Sequence, residues 1–185
     1  GSSGADQQMA GIVTNIIPKE GGNVLSGMAY YHYTGESMVG SNLTDQLKAQ
    51  GVTGTSSIRR DWDFNPALGG PLMKDKLWFF GSYRNAGSEA DAGVRYNLTP
   101  TAWIYTPDTS RPTAGQKVVD NNYSVRLTWQ ALAKHKISVY YDDQPKSWYN
   151  RTIGSTVAPE ASTYSPYRPQ YLAQAVWKSP ITNRL

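Results

Sequence analysis

Few residues in this chain are able to do chemistry, and their spacing does not assemble a reaction. The two histidines, His32 and His135, lie far apart in sequence, and His135 sits between Lys134 and Lys136 in what reads as a solvated turn. Asp142, Asp143 and Glu160 are carboxylates in a polar stretch. Calcium binding or general-acid work needs converging partners, and none is identifiable. Asp61-x-Asp63-x-Asn65 has the spacing of the opening positions of a calcium loop, but Gly is missing at the sixth place and Glu at the twelfth. Gly69-Gly70 is followed by no Lys-Ser/Thr pair at the spacing of a phosphate loop, so it reads as turn geometry. With no cysteine there is no thiolate chemistry and no disulfide scaffold. The expectation is a protein that is not an enzyme and carries no cofactor and no metal.

Surface recognition is the chemistry that remains. Trp103, Tyr105, Trp148, Tyr149 and Arg151 stand in polar connecting stretches and make a candidate substrate surface, stacking on sugars or on a siderophore. The plain alternative is that they anchor their own loops. Asn42, Asn97, Asn122 and Asn150 each open an N-x-S/T triplet, which is without consequence in a bacterial protein. The net charge of +4 is spread over single Lys and Arg residues, with Arg59-Arg60 the notable doublet, and that excludes a nucleic-acid footprint.

The elements that must position these side chains read as strands. Thirteen Tyr, six Trp and three Phe favour interfaces, because Tyr and Trp carry a polar tip on an apolar body. Mean hydropathy is −0.54 and no run approaches the roughly 18 apolar residues of a spanning helix, an argument that does not touch a membrane barrel. In Tyr123-Ser124-Val125-Arg126-Leu127-Thr128-Trp129 every odd position is apolar and every even one polar. After a tight corner at 133–136, Ile137 to Asp142 alternates again, and a last strand spans Tyr171 to Trp177.

Earlier in the chain, Ile12 to Ile17 reads as a short strand closed by Pro18 and Gly21-Gly22, and Val24 to Tyr33 as a second strand. Asn42 to Gln50 is the plausible helix, capped by Asn42 or Thr44 and stopped by Gly51. Trp62 to Pro71 and Leu77 to Asn85 form a hairpin around the Lys74-Asp75-Lys76 corner. Short turns alternate with long polar connections, as in outer-membrane barrels. Arg126 at mid-depth on a lipid face would cost about 2–4 kcal/mol, so it should point to the other side with Ser124 and Thr128.

Four segments, in order, resemble one family. They are NIIPKEGGN (Asn15 to Asn23), SNLTDQLKAQG (Ser41 to Gly51), WDFNPALGGPLMKDKLWFFGSYR (Trp62 to Arg84) and YLAQAVWKSPITNRL (Tyr171 to Leu185). They are similar to TonB-dependent outer-membrane receptors of the Oar-like, carboxypeptidase-regulatory-like-domain-containing group. The resemblance implies an all-β fold: an antiparallel up-and-down meander forming part of a large barrel of the 22-strand type. Residues 1–22 would be the C-terminal end of a plug domain. Residues 23–185 would be about six barrel strands, with long extracellular loops near 34–61, 86–121 and 143–170.

The implied function is import of a siderophore, glycan or peptide with energy transmitted by TonB, in the cell outer membrane of a Gram-negative bacterium. The implied partners are outer-membrane lipid, the TonB complex acting through a plug and TonB box upstream of residue 1, and an unidentified small-molecule or oligomeric ligand. An open six-strand sheet leaves two unpaired edges, so the chain reads as a segment of a longer protein. The competing readings are a soluble β-sandwich that binds glycan and a small self-contained outer-membrane barrel.

Overall fold

A computed structural model describes residues 18–40, 43–51 and 57–180. The strand expected over Ile12 to Ile17 and most of the 1–22 plug segment lie outside the described residues, as does Asn42. Eight strands form one antiparallel sheet: β1 (Ser26–Gly35), β2 (Ile58–Met73), β3 (Leu77–Val94), β4 (Ala114–Leu132), β5 (His135–Asp143), β6 (Lys146–Tyr149), β7 (Ser165–Tyr167) and β8 (Tyr171–Lys178). The sheet order is β1-β2-β3-β4-β5-β8, while β6 continues alongside β4 and β7 pairs with β6. Thus β5 and β6 are two halves of one ribbon broken at Gln144-Pro145, and β7 and β8 are halves of the next. The described chain is therefore a meander of six ribbons, open at both edges.

The described residues form neither competing architecture. Among the described residues no second sheet packs on the first, as a sandwich requires, and β1 and β8 do not meet to close a barrel. No helix among the described residues is long and apolar enough to cross a membrane.

The β2–β3 hairpin turns at the expected Lys74-Asp75-Lys76 corner and departs from expectation at its paired glycines. Gly69 and Gly70 do not make a turn; β2 runs straight through them to Met73, with Gly69 opposite Phe80 and Gly70 opposite Phe79. Their missing Cβ atoms serve close approach instead. A Cβ on Gly70 would stand 3.0 Å from the Leu25 Cα, and Gly69 lies under the Gly21 Cα. The turn is Lys74-Asp75-Lys76, with Asp75 at φ +61, a left-handed position that Asp tolerates better than most residues. Asn23 clamps it from outside. Its side-chain oxygen accepts from the Asp75 N–H at 2.9 Å and from the Trp78 indole N–H at 2.7 Å, and its amide donates to the Asp75 carboxylate.

The ribbons are longer than periodicity suggests. β3 and β4 have 18 and 19 residues, roughly 60 Å at strand rise, so the connection expected over 86–121 shrinks to 95–113. The hidden strand is polar on both faces and therefore shows no alternation. Cross-strand ion pairs mark it: Arg60 to Glu89 at 2.7 Å and Arg59 to Asp91 at 3.2 Å. The connection expected over 143–170 contains β6 and β7, and the one expected over 34–61 narrows to 36–57. The helix is Asp45–Ala49, capped by Thr44 accepting from the Leu47 N–H at 3.3 Å. His135 and Lys136 also belong to a strand rather than to the turn, because His135 stacks on Trp177 at 5.7 Å.

Replacing Asn23 by Ala removes three hydrogen bonds at the hairpin corner. It should cost about 1–2 kcal/mol, read as a shifted urea midpoint, whereas Lys74→Ala at the same corner should leave the midpoint unchanged.

Candidate functional site

Strand alternation divides the sheet into two faces of opposite character. One face carries Leu68, Phe79, Val125, Leu127, Val139, Ala173 and Ala175, with nothing among the described residues packed over them: Leu127 is 45% exposed and Val139 53%. At one end this band stops at a row of rings across neighbouring strands. Phe64 meets Tyr83 edge-on at 6.2 Å, Tyr83 meets Tyr123 at 5.2 Å, and Tyr141 meets Tyr171 at 6.1 Å. One step beyond the row the same face turns polar, where the Trp62 indole donates to Asn85 at 2.8 Å and Asn85 to Asn121 at 2.7 Å. At the other end stand Trp129 and Trp177, both exposed. From Tyr123 to Trp129 the strand covers about 20 Å.

The opposite face carries Trp78, Phe80, Tyr140 and Val176 among its hydroxyls and charges, but it is the more polar of the two and holds the best-buried residues of this region. Thr128 is 1% exposed, Asp142 5% and Ser138 7%. Arg126 lies here with them, on the far side from Tyr123 and Trp129, as its cost on an apolar face requires. Its guanidinium donates to the Pro18 carbonyl at 2.6 Å and pairs with Glu20 at 3.1 Å; Lys136 pairs with the same carboxylate. Further along, a cavity of about 260 Å³ is lined by Tyr30, His32, Asp61, Asp63, Arg84 and Asp120. Arg84 grips Asp63 with two nitrogens at 2.7 and 3.0 Å, and His32 stands 3.3 Å from Asp61. A soluble domain buries its apolar side chains. This sheet buries hydroxyls and carboxylates and leaves leucine, valine and tryptophan bare.

The five candidate recognition residues are not brought together. Trp148 and Arg151 stand on the polar side: Arg151 lies over Trp148 at 5.1 Å and over Tyr167 at 5.9 Å, and the Trp148 indole N–H is buried without an acceptor among the described residues. Tyr149, one residue on, faces the other way, against Tyr164 at 4.8 Å and under Lys117 at 5.4 Å. Trp103 and Tyr105 belong to the 95–113 loop. Trp103 is fully exposed, and the Tyr105 hydroxyl donates to the Arg95 carbonyl. That loop is a preformed platform, for Asn97 is 4% exposed and its side chain accepts from the Thr106 N–H at 2.9 Å. Glu160 of the 150–164 connection accepts from the Asn97 N–H at 2.7 Å, tying the two loops to each other.

Sequence reasoning missed Tyr164, Tyr167 and Lys117, whose relevance depends on pairing between β4, β6 and β7. It also missed Glu20 as the partner of Arg126, because 106 residues separate them. Among the described residues no three His, Cys, Asp or Glu side chains could hold a metal ion.

Comparison with known proteins adds one match. No family model matches the chain, and no solved structure does. Over 93 residues, 49% of this chain, the sequence is 32% identical to the TonB-dependent transporter Oar of Myxococcus xanthus. The likeness is to a TonB-dependent transporter. The aligned stretch spans 8% of that protein's length, so the relationship covers a small part of a much larger chain.

Two outcomes follow from this geometry. Leu127→Arg should lose about 2–4 kcal/mol of stability in lipid vesicles, while Gln174→Arg on the polar face should lose less than about 1, read by urea unfolding. The second concerns the base of the 95–113 loop, where burial pushes the Asp91 carboxyl up but hydrogen bonds from Thr113, the Gly93 N–H and Arg59 outweigh it and hold it below its ordinary value. A depressed carboxylate stabilises above its unfolded value of about 4 and loses that contribution as pH falls through the folded one. Proteolysis of the loop should therefore accelerate as pH drops below about 4, and Asp91→Asn should flatten that dependence.

Proposed function

We propose that this sheet is part of the wall of a TonB-dependent transporter in the outer membrane, with its aromatic-bounded face on lipid and its polar face toward the lumen. The observation that carries the reading is the inversion of burial: Thr128, Ser138 and Asp142 are covered while Val125, Leu127 and Trp129 are bare. Water does not favour that arrangement, and a bilayer does. Each half-exposed Leu or Val gains on the order of 1 kcal/mol by meeting hydrocarbon. The Tyr row and the Trp pair sit where interfacial girdles belong. Hydrocarbon tolerates no unpaired strand edge, so the edges at β1 and β8 require neighbouring strands, as a larger closed barrel supplies.

On this reading the short turns at 74–76 and 133–134 face the periplasm. The long ribbons and the loops at 36–57, 95–113 and 150–164 stand outside the cell, where Trp103 and Tyr105 on the 95–113 loop and Trp148 and Arg151 on the lumen side reach ligand, while Tyr149, on the outer side of the wall, does not. Cargo, a siderophore, glycan or peptide, is captured there and released inward when TonB displaces a plug. The likeness to the Myxococcus xanthus transporter supports this reading over that of a soluble binding module.

Surface labelling of intact cells tests it. A Trp103→Cys variant should react with a membrane-impermeant maleimide from outside, and Lys134→Cys only after the outer membrane is permeabilised. Labelling of Lys134→Cys alone in intact cells, or recovery of the protein in the soluble fraction, would overturn the proposal.

A further inference from the structure

Residues Pro18 to Leu25 cross the polar face before the chain enters β1, and they are held at three places. At the first, Arg126 donates to the Pro18 carbonyl at 2.6 Å and binds Glu20, which also pairs with Lys136. At the second, Gly21 lies against the ladder so closely that a Cβ there would collide with the Phe79 carbonyl oxygen and stand 3.1 Å from that of Gly70. At the third, Asn23 holds the Asp75 N–H and the Trp78 indole.

We propose that residues 18–25 form a fixed strut, and that any passage along the polar face opens beside this strut rather than by lifting it. Two physical facts carry the inference. The Arg126 side chain is 11% exposed, and its other partners are the weak contacts to Thr128 and Ser138, each at 3.4 Å. Lifting the strut breaks a charge-assisted hydrogen bond and an ion pair to Arg126, which the two weak hydroxyl contacts do not replace. The Gly21 contact leaves no layer of water between strut and sheet, so separation must also break van der Waals contact with the backbone of β2 and β3. Glu20, between two cations, makes the strut the electrostatic partner of β4 and β5.

The inference rests on the reading of this face as a lumen, but its test involves neither TonB nor cargo, so the two fail separately. Nitroxide labels at Lys19 and Lys134, both exposed positions, report the strut against the β4–β5 turn in the full chain folded in detergent micelles. A single narrow distance is expected. Gly22→Ala, where an added Cβ meets nothing within 4 Å, should preserve it, and Gly21→Ala should abolish it. Glu20→Gln, which keeps the backbone contacts and removes the charge, should broaden the distance, and it decides the matter if Gly21→Ala does not fold. A broad distribution in the parent chain, identical behaviour of the two glycine variants, or an unchanged width in Glu20→Gln would overturn the proposal.

Discussion

An arginine and a leucine that are adjacent in the chain have to live on opposite sides of a sheet one residue thick. Arg126 needs anions and carbonyls; Leu127 needs to be out of water. Strand geometry separates them by pointing successive side chains to opposite faces; β5 repeats the division in register, and β3 and β8 repeat it in part, with Trp78, Phe80 and Val176 on the side of Arg126. No second layer among the described residues covers Leu127, and on the reading proposed above the medium that covers it is a bilayer. The Tyr row and the Trp pair then mark where that medium ends.

The polar face solves the complementary problem. Its hydroxyls and carboxylates are satisfied by one another and by a strand-crossing segment that carries Pro18 and Glu20 to Arg126. Beyond the apolar band the ribbons continue as ion-paired strands, in which Arg59, Arg60, Glu89 and Asp91 take over from hydrophobic contact. These extensions hold the 95–113 and 150–164 loops on a stiff base, and the Glu160 to Asn97 hydrogen bond joins the loops across the gap.

Much of this was legible from residue order. The alternation in Tyr123 to Trp129 and in Ile137 to Asp142 identified two strands and the side on which Arg126 lies, because period-two patterning reports directly on a sheet with two unlike environments. The upper halves of β3 and β4 escaped notice because both of their faces meet water or ion pairs and no alternation survives. β6 and β7 escaped because Gln144-Pro145 and Arg168-Pro169 interrupt ribbons that the ladder nevertheless carries across. Gly69-Gly70 was misread for a different reason: its partner in space, Gly21, is remote in sequence, and two glycines in a row resemble a turn when that partner is unseen. The aromatic candidates were individually visible, but which face each one takes depends on the β4–β6 register, which separates Trp148 from Tyr149.

The most direct measurement is fluorescence quenching by brominated lipid acyl chains, in single-tryptophan variants of the full chain reconstituted in vesicles. Tryptophan kept only at position 129 should be strongly quenched, and tryptophan kept only at position 78, on the polar face, should be quenched weakly. Equal quenching at the two positions, or protection of Trp129 from lipid, would contradict the assignment of the apolar face to the bilayer.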